Sequence, residues 1–481
     1  MSRINHNISS LQAIHRLIAN QQSMSTSLER LSSGLRINRG KDDPAGLIAS
    51  ENLRAEIRGI NAAIENSVRA NNVISTAEGA LNEVSALLLE VRGLVTKSAN
   101  TGAMADEELE ANQLQIDSIL ESIDRIANTT QFNGKKLLDG SLEYNLSTVA
   151  TSALAEVKLY AAKPPENGSL PVVVEVTNSA EFAQLKFSGA GTGAASAVSI
   201  RVAGNVGSEV FSFGASTAIS AMAATINSFS DVLGVSASLS STGALYFNST
   251  GYGTSAFVSV TSIGSEAFKT YDPVDGAATA STGSTDYGVD AEVTVNGQNA
   301  TVDGLYATLR NNSLDMELYL TADFGTRLTS TQFGVSGGGA IFQLAPNVQI
   351  QGQVSMGIYS VSTGTLGNNE LGYLSSVRSG GANSVVSEHS IQAQRIVDRS
   401  VTQVSVMRGR LGAFQKNTLD TNINSLQVAL ENVTASESSI RDTDFAEETA
   451  AMTRAQILVQ ATTTILRTAN MAPQNALALL G

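Results

Sequence analysis

The sequence of 481 residues contains no cysteine and no tryptophan, only seven prolines, and aromatic residues at 5%. Without cysteine there can be no disulfide and no thiolate metal site. Few aromatics argue against a small-molecule pocket protein, because such pockets are usually lined by aromatic and apolar side chains. No window of about 18 uninterrupted apolar residues occurs, so no membrane-spanning helix is expected. The start, Met1 to Ser10, lacks the apolar core and small-residue cleavage site of a secretory signal. If the chain is secreted, it is expected to leave without cleavage. Cations are scarce in the middle. Between 171 and 380 they are Lys186, Arg201, Lys269, Arg310, Arg327 and Arg378. The formal net charge of -14 disfavours nucleic acid or an anionic membrane surface as partner.

What is present falls into three zones. Residues 1 to about 140 read helical, about 141 to 380 read as strands and turns, and about 385 to 481 read helical again. In the first zone Ile4, Ile8, Leu11, Ile14 and Ile18 recur at three- and four-residue steps, and Leu28, Leu31 and Leu35 resume the stripe. Asp43-Pro44 suits a helix start, with Asp at the N-cap and Pro in the first turn. From there Leu53, Ile57, Ile60, Ile64, Val68, Ile74, Leu81, Val84, Leu88, Val91 and Val95 share a stripe. A helix over 44–98 would be ~80 Å long. A third helix carries Leu109, Ile116, Ile119, Ile123 and Ile126, ending at Asn128 before Gln131-Phe-Asn-Gly134.

The last zone mirrors the first. Val397, Val401, Val404, Leu411, Leu419, Ile423, Leu426, Leu430 and Val433 form a seam. After the charged break at Arg441-Asp-Thr-Asp444 a second helix carries Met452, Val459, Leu466 and Ala469, then Ala476 and Leu480, with Pro473 expected to weaken or kink it. Stripes this narrow on helices rich in Ala, Ser, Thr, Asn and Gln do not sustain a helix alone. The two ends are therefore expected to pair with each other and with neighbouring chains, an intramolecular bundle being the plainer alternative. The middle alternates β-branched runs (Pro171–Val176, Ala256–Val260, Ala291–Val295) with Gly/Ser/Thr turns. Asn296-Gly297 signals a hairpin, and one helix is expected over about 218–228. The fold class is α+β: long terminal helices paired as a coiled coil or bundle, around one or two β-rich insert domains.

Several blocks in order resemble bacterial flagellin. They are Ile4-Asn-His-Asn-Ile-Ser-Ser-Leu11, Leu31-Ser-Ser-Gly-Leu-Arg-Ile-Asn38, Asp42-Asp-Pro-Ala-Gly46 and Thr130-Gln-Phe-Asn-Gly134 with Leu137–Gly140. At the other end stand Glu437–Phe445, Ala455-Gln-Ile-Leu458 and Pro473–Leu480. They cover residues 1–140 and 385–481, about half the chain. A looser stretch, about 197–264 (Val198–Val202, Phe211–Phe213, Thr225–Ser228, Gly234–Ala237), is similar to the insert motif of flagellins and hook-associated proteins. The resemblance implies an inner coiled-coil domain of 1–43 and 445–481. It implies a helical bundle with a β-hairpin of 44–175 and 385–444, and a β-rich outer domain of 176–384. It implies a structural subunit that polymerises with itself into the swimming filament, outside the cell. The expected partners are a flagellar export chaperone on the C-terminal helix, the type III export apparatus, the filament cap protein and the hook–filament junction proteins. A junction protein is the alternative, as is an adhesin role for the insert. No cofactor is expected. Polymerisation seams would run through Ile4, Ile8, Leu11, Ile18, Leu28, Leu31, Leu35, Met452, Val459, Leu466 and Leu480, with ends that fray in the free subunit.

In flagellins sensed by innate immunity, the resemblance implies a receptor contact on the long helix. Leu88, Val91, Arg92 and Leu94 fit its pattern. Glu90 stands where an arginine is expected, and Gln115 where a glutamate is. The inverted charge implies weak recognition.

Catalysis finds little footing. His6, His15 and His389 are the only histidines, and no His-Glu-x-x-His pair exists. The pairs Asp42-Asp43 and Asp442/Asp444 read as helix breaks and caps rather than a metal site. Gly189–Gly193 has the glycines of a phosphate loop without its Lys-Ser/Thr, and reads as a turn. Asn145-Leu-Ser, Asn248-Ser-Thr and Asn299-Ala-Thr are glycosylation-type triplets expected by chance, although O-linked glycans on exposed Ser/Thr fit the resemblance.

Overall fold

The computed structural model describes residues 6–165, 168–187, 196–240, 243–264, 268–272, 283–311, 313–369, 371–387 and 389–478, with the side chains of 283 and 472–478 excepted. Ile4, Leu480 and the Gly189–Gly193 run lie outside these residues. Helices α1 (Ile8–Ser33), α2 (Pro44–Ser98) and α3 (Asp106–Thr129) open the chain. The middle carries α4 (Ile219–Asn227), α5 (Ser230–Leu233) and α6 (Ala322–Gly325), and α7 (Ser390–Phe414), α8 (Thr421–Arg441) and α9 (Phe445–Ala478) close it. The chain divides into two compact units. One comprises Met1–Asn71, Gln343–Gly352 and Gln415–Gly481, the other Asn72–Phe342 and Gln353–Phe414.

The first unit is helical. Its α1 and α9 pair through faces that follow a strict three-four spacing. On α1 the covered positions are Ser10, Ala13, Leu17, Asn20, Met24, Ser27 and Leu31. On α9 they are Glu448, Met452, Ala455, Val459, Thr462, Leu466 and Ala469. Of these only Ala13, Ser27, Ala455 and Thr462 are buried. The buried positions are small and the larger Leu17, Met24, Leu31, Met452, Val459 and Leu466 are only partly covered, so the pairing gains modestly at roughly 25 cal/mol per Å² of apolar area buried. The stripe read from the sequence thus resolves into two. Leu31, Met452, Val459 and Leu466 lie on the internal seam, whereas Ile8, Leu11, Ile14, Ile18 and Leu28 stay exposed. Deeper in the unit, Ile60 and Ala63 of α2 pack with Leu426 of α8, joined by Ile64, Ala429, Leu430 and Val433.

The breaks near residues 34–46 and 441–447 face each other within this unit. Gly34, at φ 73°, ends α1 in a left-handed cap. The freed chain then pairs across: the Arg36 N–H donates to the Arg441 carbonyl at 2.7 Å and the Thr443 N–H to that of Gly34 at 3.0 Å, with Leu35 bridging Asp442. Asp42 accepts from the Arg39 N–H at 2.9 Å, and Asp43 from the Gly46 N–H at 2.9 Å, so the second carboxylate caps α2. A Cβ on Gly46 would stand 2.4 Å from the Asp43 carboxylate and 2.7 Å from buried Ile37, which explains the glycine. Asp444 caps α9 by accepting from the Ala446 and Glu447 N–H groups at 2.8 and 3.2 Å.

Along α2 the covered positions keep three-four spacing from Ser50 through Ile60, Ala63, Ser67, Ala70, Ile74, Ala77, Leu81, Val84, Leu88, Val91, Val95 and Ser98. The expected stripe drifted off this face at Ile64 and Val68. Val68 is exposed, because the smaller Ala63, Ser67 and Ala70 hold the seam there. At the other end, covered positions run Ser390, Ala393, Val397, Ser400, Val404, Met407 and Leu411, then resume as Leu419, Asn422, Leu426, Ala429 and Val433. That resumption is one residue late for the heptad. The π turn Gln415–Asp420 supplies the extra residue, at the boundary between the units. Pro473 does not end α9, which continues to Ala478. A proline lacks the N–H that would bond to Ala469 four residues back. The Asn7 side chain donates to that carbonyl instead, at 2.8 Å, while its oxygen caps α1 by accepting from the Ser10 N–H at 3.0 Å.

The second unit holds the rest of the long helices and two separate β cores. The Asn-Gly signals act as expected. Asn133 and Gly134 (φ 49° and 80°) turn a hairpin pairing Phe132 with Lys135. Asn296 and Gly297 (φ 50° and 76°) turn one pairing Val295 with Gln298. The first core lies between a five-stranded sheet centred on the strand Leu170–Asn178 and a four-stranded sheet built on Leu314–Leu320, with Val172, Val174, Met316, Leu318 and Phe333 inside. The second core lies within 183–287, between two four-stranded sheets and α4. There the scarce aromatics gather: Phe187 stacks on Phe268 at 4.1 Å, and Phe247 meets the same ring edge-on at 6.1 Å.

Candidate assembly surface

In the first unit the exposed apolar side chains form the most extensive feature. Leu11 is 60% and Ile8 58% exposed on α1, and Phe445, Ile457, Leu458, Ile465 and Met471 are exposed on α9. Scattered surface leucines need no explanation, but a row at helical spacing on helices whose buried positions are all small residues does. Among the expected seam residues, Ile8, Leu11, Ile18 and Leu28 are therefore open to a second molecule. Leu35 is tied down by its backbone bridge to Asp442. Ion pairs hold the joint below this surface. Arg441 reaches Glu51 at 2.7 Å, and its hydrogen bond draws the Glu51 carboxyl below its ordinary pKa. Arg30 reaches Glu448 at 3.4 Å.

The receptor-like patch divides on burial. Leu88 and Val91 are fully buried and Leu94 nearly so, in the helical part of the second unit. In the folded chain they pack the interior, so the exposed part of the expected contact set is its polar side chains. Glu90, Arg92 and Gln115 are exposed, and Arg92 pairs with Asp398 of α7 at 2.8 Å. The sequence reading missed Leu89 and Leu114, both exposed beside them, because their positions fall outside the apolar stripe.

A cleft of about 320 Å³ in the second unit is lined by Tyr160, Tyr306, Tyr359, Glu317 and Arg399 among others. Its wall is a structural cluster. Arg410 of α7 bonds Asp315 at 2.8 Å and Glu317 at 2.7 Å, with its guanidinium 3.5 Å from the Tyr160 ring centre. The Tyr160 hydroxyl donates to Glu317 at 2.9 Å. Burial, then the Glu317 charge, pushes the phenols of Tyr160 and Tyr306 well above their ordinary pKa. Such phenols do not ionise at neutral pH; the Tyr160 hydroxyl donates within the sheet, and Arg410 is the side chain that anchors α7 to it. Among the described residues no group of three His, Asp or Glu side chains is placed to hold a metal, and no helix is long and apolar enough to cross a membrane. His6, His15 and His389 stand apart in the chain, with no shared cluster.

Family models match the chain in three places. Residues 4–143 match the bacterial flagellin N-terminal helical region, 394–480 the bacterial flagellin C-terminal helical region, and 199–251 the flagellin hook IN motif. Similar proteins include the B-type flagellin of Pseudomonas aeruginosa, 31% identical over 99% of both chains, and flagellin B of Helicobacter pylori, 30% identical over 99% of both. A flagellin of Bacillus subtilis is 47% identical over 31% of this chain and 49% of its own.

Proposed function

The chain belongs to the bacterial flagellins, structural subunits that polymerise into the flagellar filament, and from that premise we propose that the exposed α1/α9 stripe is the surface by which copies join. The observation that carries this reading is the split of each terminal helix into an inward face whose buried positions are small residues and an outer face whose large apolar side chains are left in water. Two helices whose buried contacts are Ala13, Ser27, Ala455 and Thr462, with the larger seam residues only partly covered, gain little from each other, and burying the outer stripe against another copy supplies further area. The ends consequently open readily in the free subunit and order in the filament. The relatives matched end to end are flagellins, so the chain is a filament subunit rather than a junction protein.

In the filament the proposed layers are 1–43 with 445–481 inside, 44–175 with 385–444 around them, and 176–384 outermost apart from the loop Gln343–Gly352, which belongs to the helical unit. Before assembly the open apolar face of α9 suits an export chaperone. Passage through the type III apparatus, growth under a cap protein and seating on junction proteins complete the set of partners. The test is Leu11→Asp beside Ala13→Asp. Leu11→Asp leaves the melting of the free subunit unchanged and abolishes sedimentable filaments. Ala13→Asp weakens the α1–α9 pairing itself. Assembly of the Leu11 variant at the wild-type critical concentration overturns the reading.

A further inference from the structure

The connection between strands Ala340–Gln343 and Gln353–Met356 belongs to the helical unit that carries the terminal helices. It is a pinned loop. The Gln343 side-chain amide donates to the carbonyls of Ala345 at 3.0 Å and Asn347 at 2.7 Å. The Leu344 N–H donates to Gly352 at 2.9 Å, and the Gly352 N–H to Gln349 at 2.9 Å. Asn422 of α8 donates to the Leu344 carbonyl at 3.0 Å and to Ser67 of α2 at 3.1 Å, so one amide ties the loop to both helices. Pro346 lies against Gly59 of α2, where a Cβ would come within 3.2 Å of the proline ring.

On this fixed base the loop holds two β-branched side chains in water. Val348 is 83% exposed, the most of any large apolar residue described, and Ile350, two positions on, is 44% exposed. A loop that needed only to connect two strands would be expected to carry polar residues there. Here the polar side chains, Gln343 and Asn422, are used to hold the backbone, and the apolar ones are presented.

We propose that the Val348–Ile350 loop is a contact for a second copy of this chain, distinct from the terminal-helix stripe. Three observations select that occupant. The chain self-assembles, and the loop sits in the same unit as the helices that mediate it. The loop is already ordered, so docking it costs little conformational entropy. An apolar knob meeting a different surface of the next copy is a heterologous contact, the kind that repeats into an open helix. The inference rests on the filament reading and adds a second contact to it.

The absence of cysteine makes the test clean, since one introduced thiol is the only one. Val348→Cys subunits are mixed as a minority into wild-type chain, and maleimide labelling is compared between monomer and filament, with Ser216→Cys in the outer β-rich region as control. The expected result is at least tenfold slower labelling at 348 in filaments, and little change at 216. Equal labelling at 348 in monomer and filament overturns the inference. Absence of filaments from wild-type and Ser216→Cys chain alike would instead overturn the filament reading. Val348→Asp supplies the second arm: an unchanged monomer melt with a critical concentration raised at least tenfold supports the contact, and a wild-type critical concentration counts against it.

Discussion

Asn7 tests how the two ends of the chain depend on each other. Its side chain makes two bonds at once, capping α1 through the Ser10 N–H and donating to the Ala469 carbonyl that Pro473 leaves without a helical partner. Asn7→Ser keeps a good cap but lacks the reach to Ala469, and should lose about 1 kcal/mol, one net hydrogen bond. Asn7→Ala loses the cap as well, about 2 kcal/mol in all. On the proposed reading that pairing of the ends completes on assembly, these losses are expected as rises in critical subunit concentration of about fivefold and about thirtyfold. Pro473→Ala supplies the missing N–H, so in that background Asn7→Ser should change the critical concentration by less than about twofold. Sedimentation of filaments across a dilution series gives all four corners of the cycle. Equal effects of the Ser and Ala variants, or a Ser effect that persists undiminished in the Pro473→Ala background, would refute the reasoning.

Two further outcomes are expected. Asp290 accepts from the Gly304 N–H at 2.7 Å and from the N–H and hydroxyl of Thr254 at 3.0 and 2.7 Å. Burial raises its pKa, but these donors outweigh it and leave the carboxyl below its ordinary value. A depressed folded pKa gives stability that is present above about pH 4 and lost as pH falls through the folded value. Asp290→Ala should cost about 2–3 kcal/mol at pH 7, and the gap between the variant and wild-type melting temperatures should shrink at pH 3; an unchanged gap argues against the donors. On the long helix, Glu90→Arg should raise signalling through the animal flagellin receptor in reporter cells, and an unimproved signal would show that the Glu90 charge does not limit recognition.

Much of the helical frame is legible in the residues. Asp43-Pro44 marks the start of α2 and Asp444 that of α9, because a capping carboxylate acts within a few residues of itself. The Asn-Gly turns are local for the same reason. The pairing face of α1 departs from the apolar stripe because four of its seven positions, Ser10, Ala13, Asn20 and Ser27, are small or polar, and only Leu17, Met24 and Leu31 are large. A strict three-four count that includes small residues would have found it. The Arg410, Asp315, Glu317 and Tyr160 cluster had no sequence signal, since its members come from α7 and two strands far apart in the chain. The same holds for the loop at Val348, whose exposure follows from where Asn422 and Gly59 fix it.

The single added residue in the π turn Gln415–Asp420 has a consequence for how this sequence can vary. One residue of α-helix subtends about 100°. Deleting any one of the six would yield a smoother helix locally. It would also swing every later side chain of α8 by that angle, turning Leu426 toward water and an exposed neighbour toward Ile60. A loop absorbs such a deletion at its own location, but here the error would travel with the helix. Length in this segment is therefore held as tightly as identity, and a compensating insertion would have to fall before Leu419.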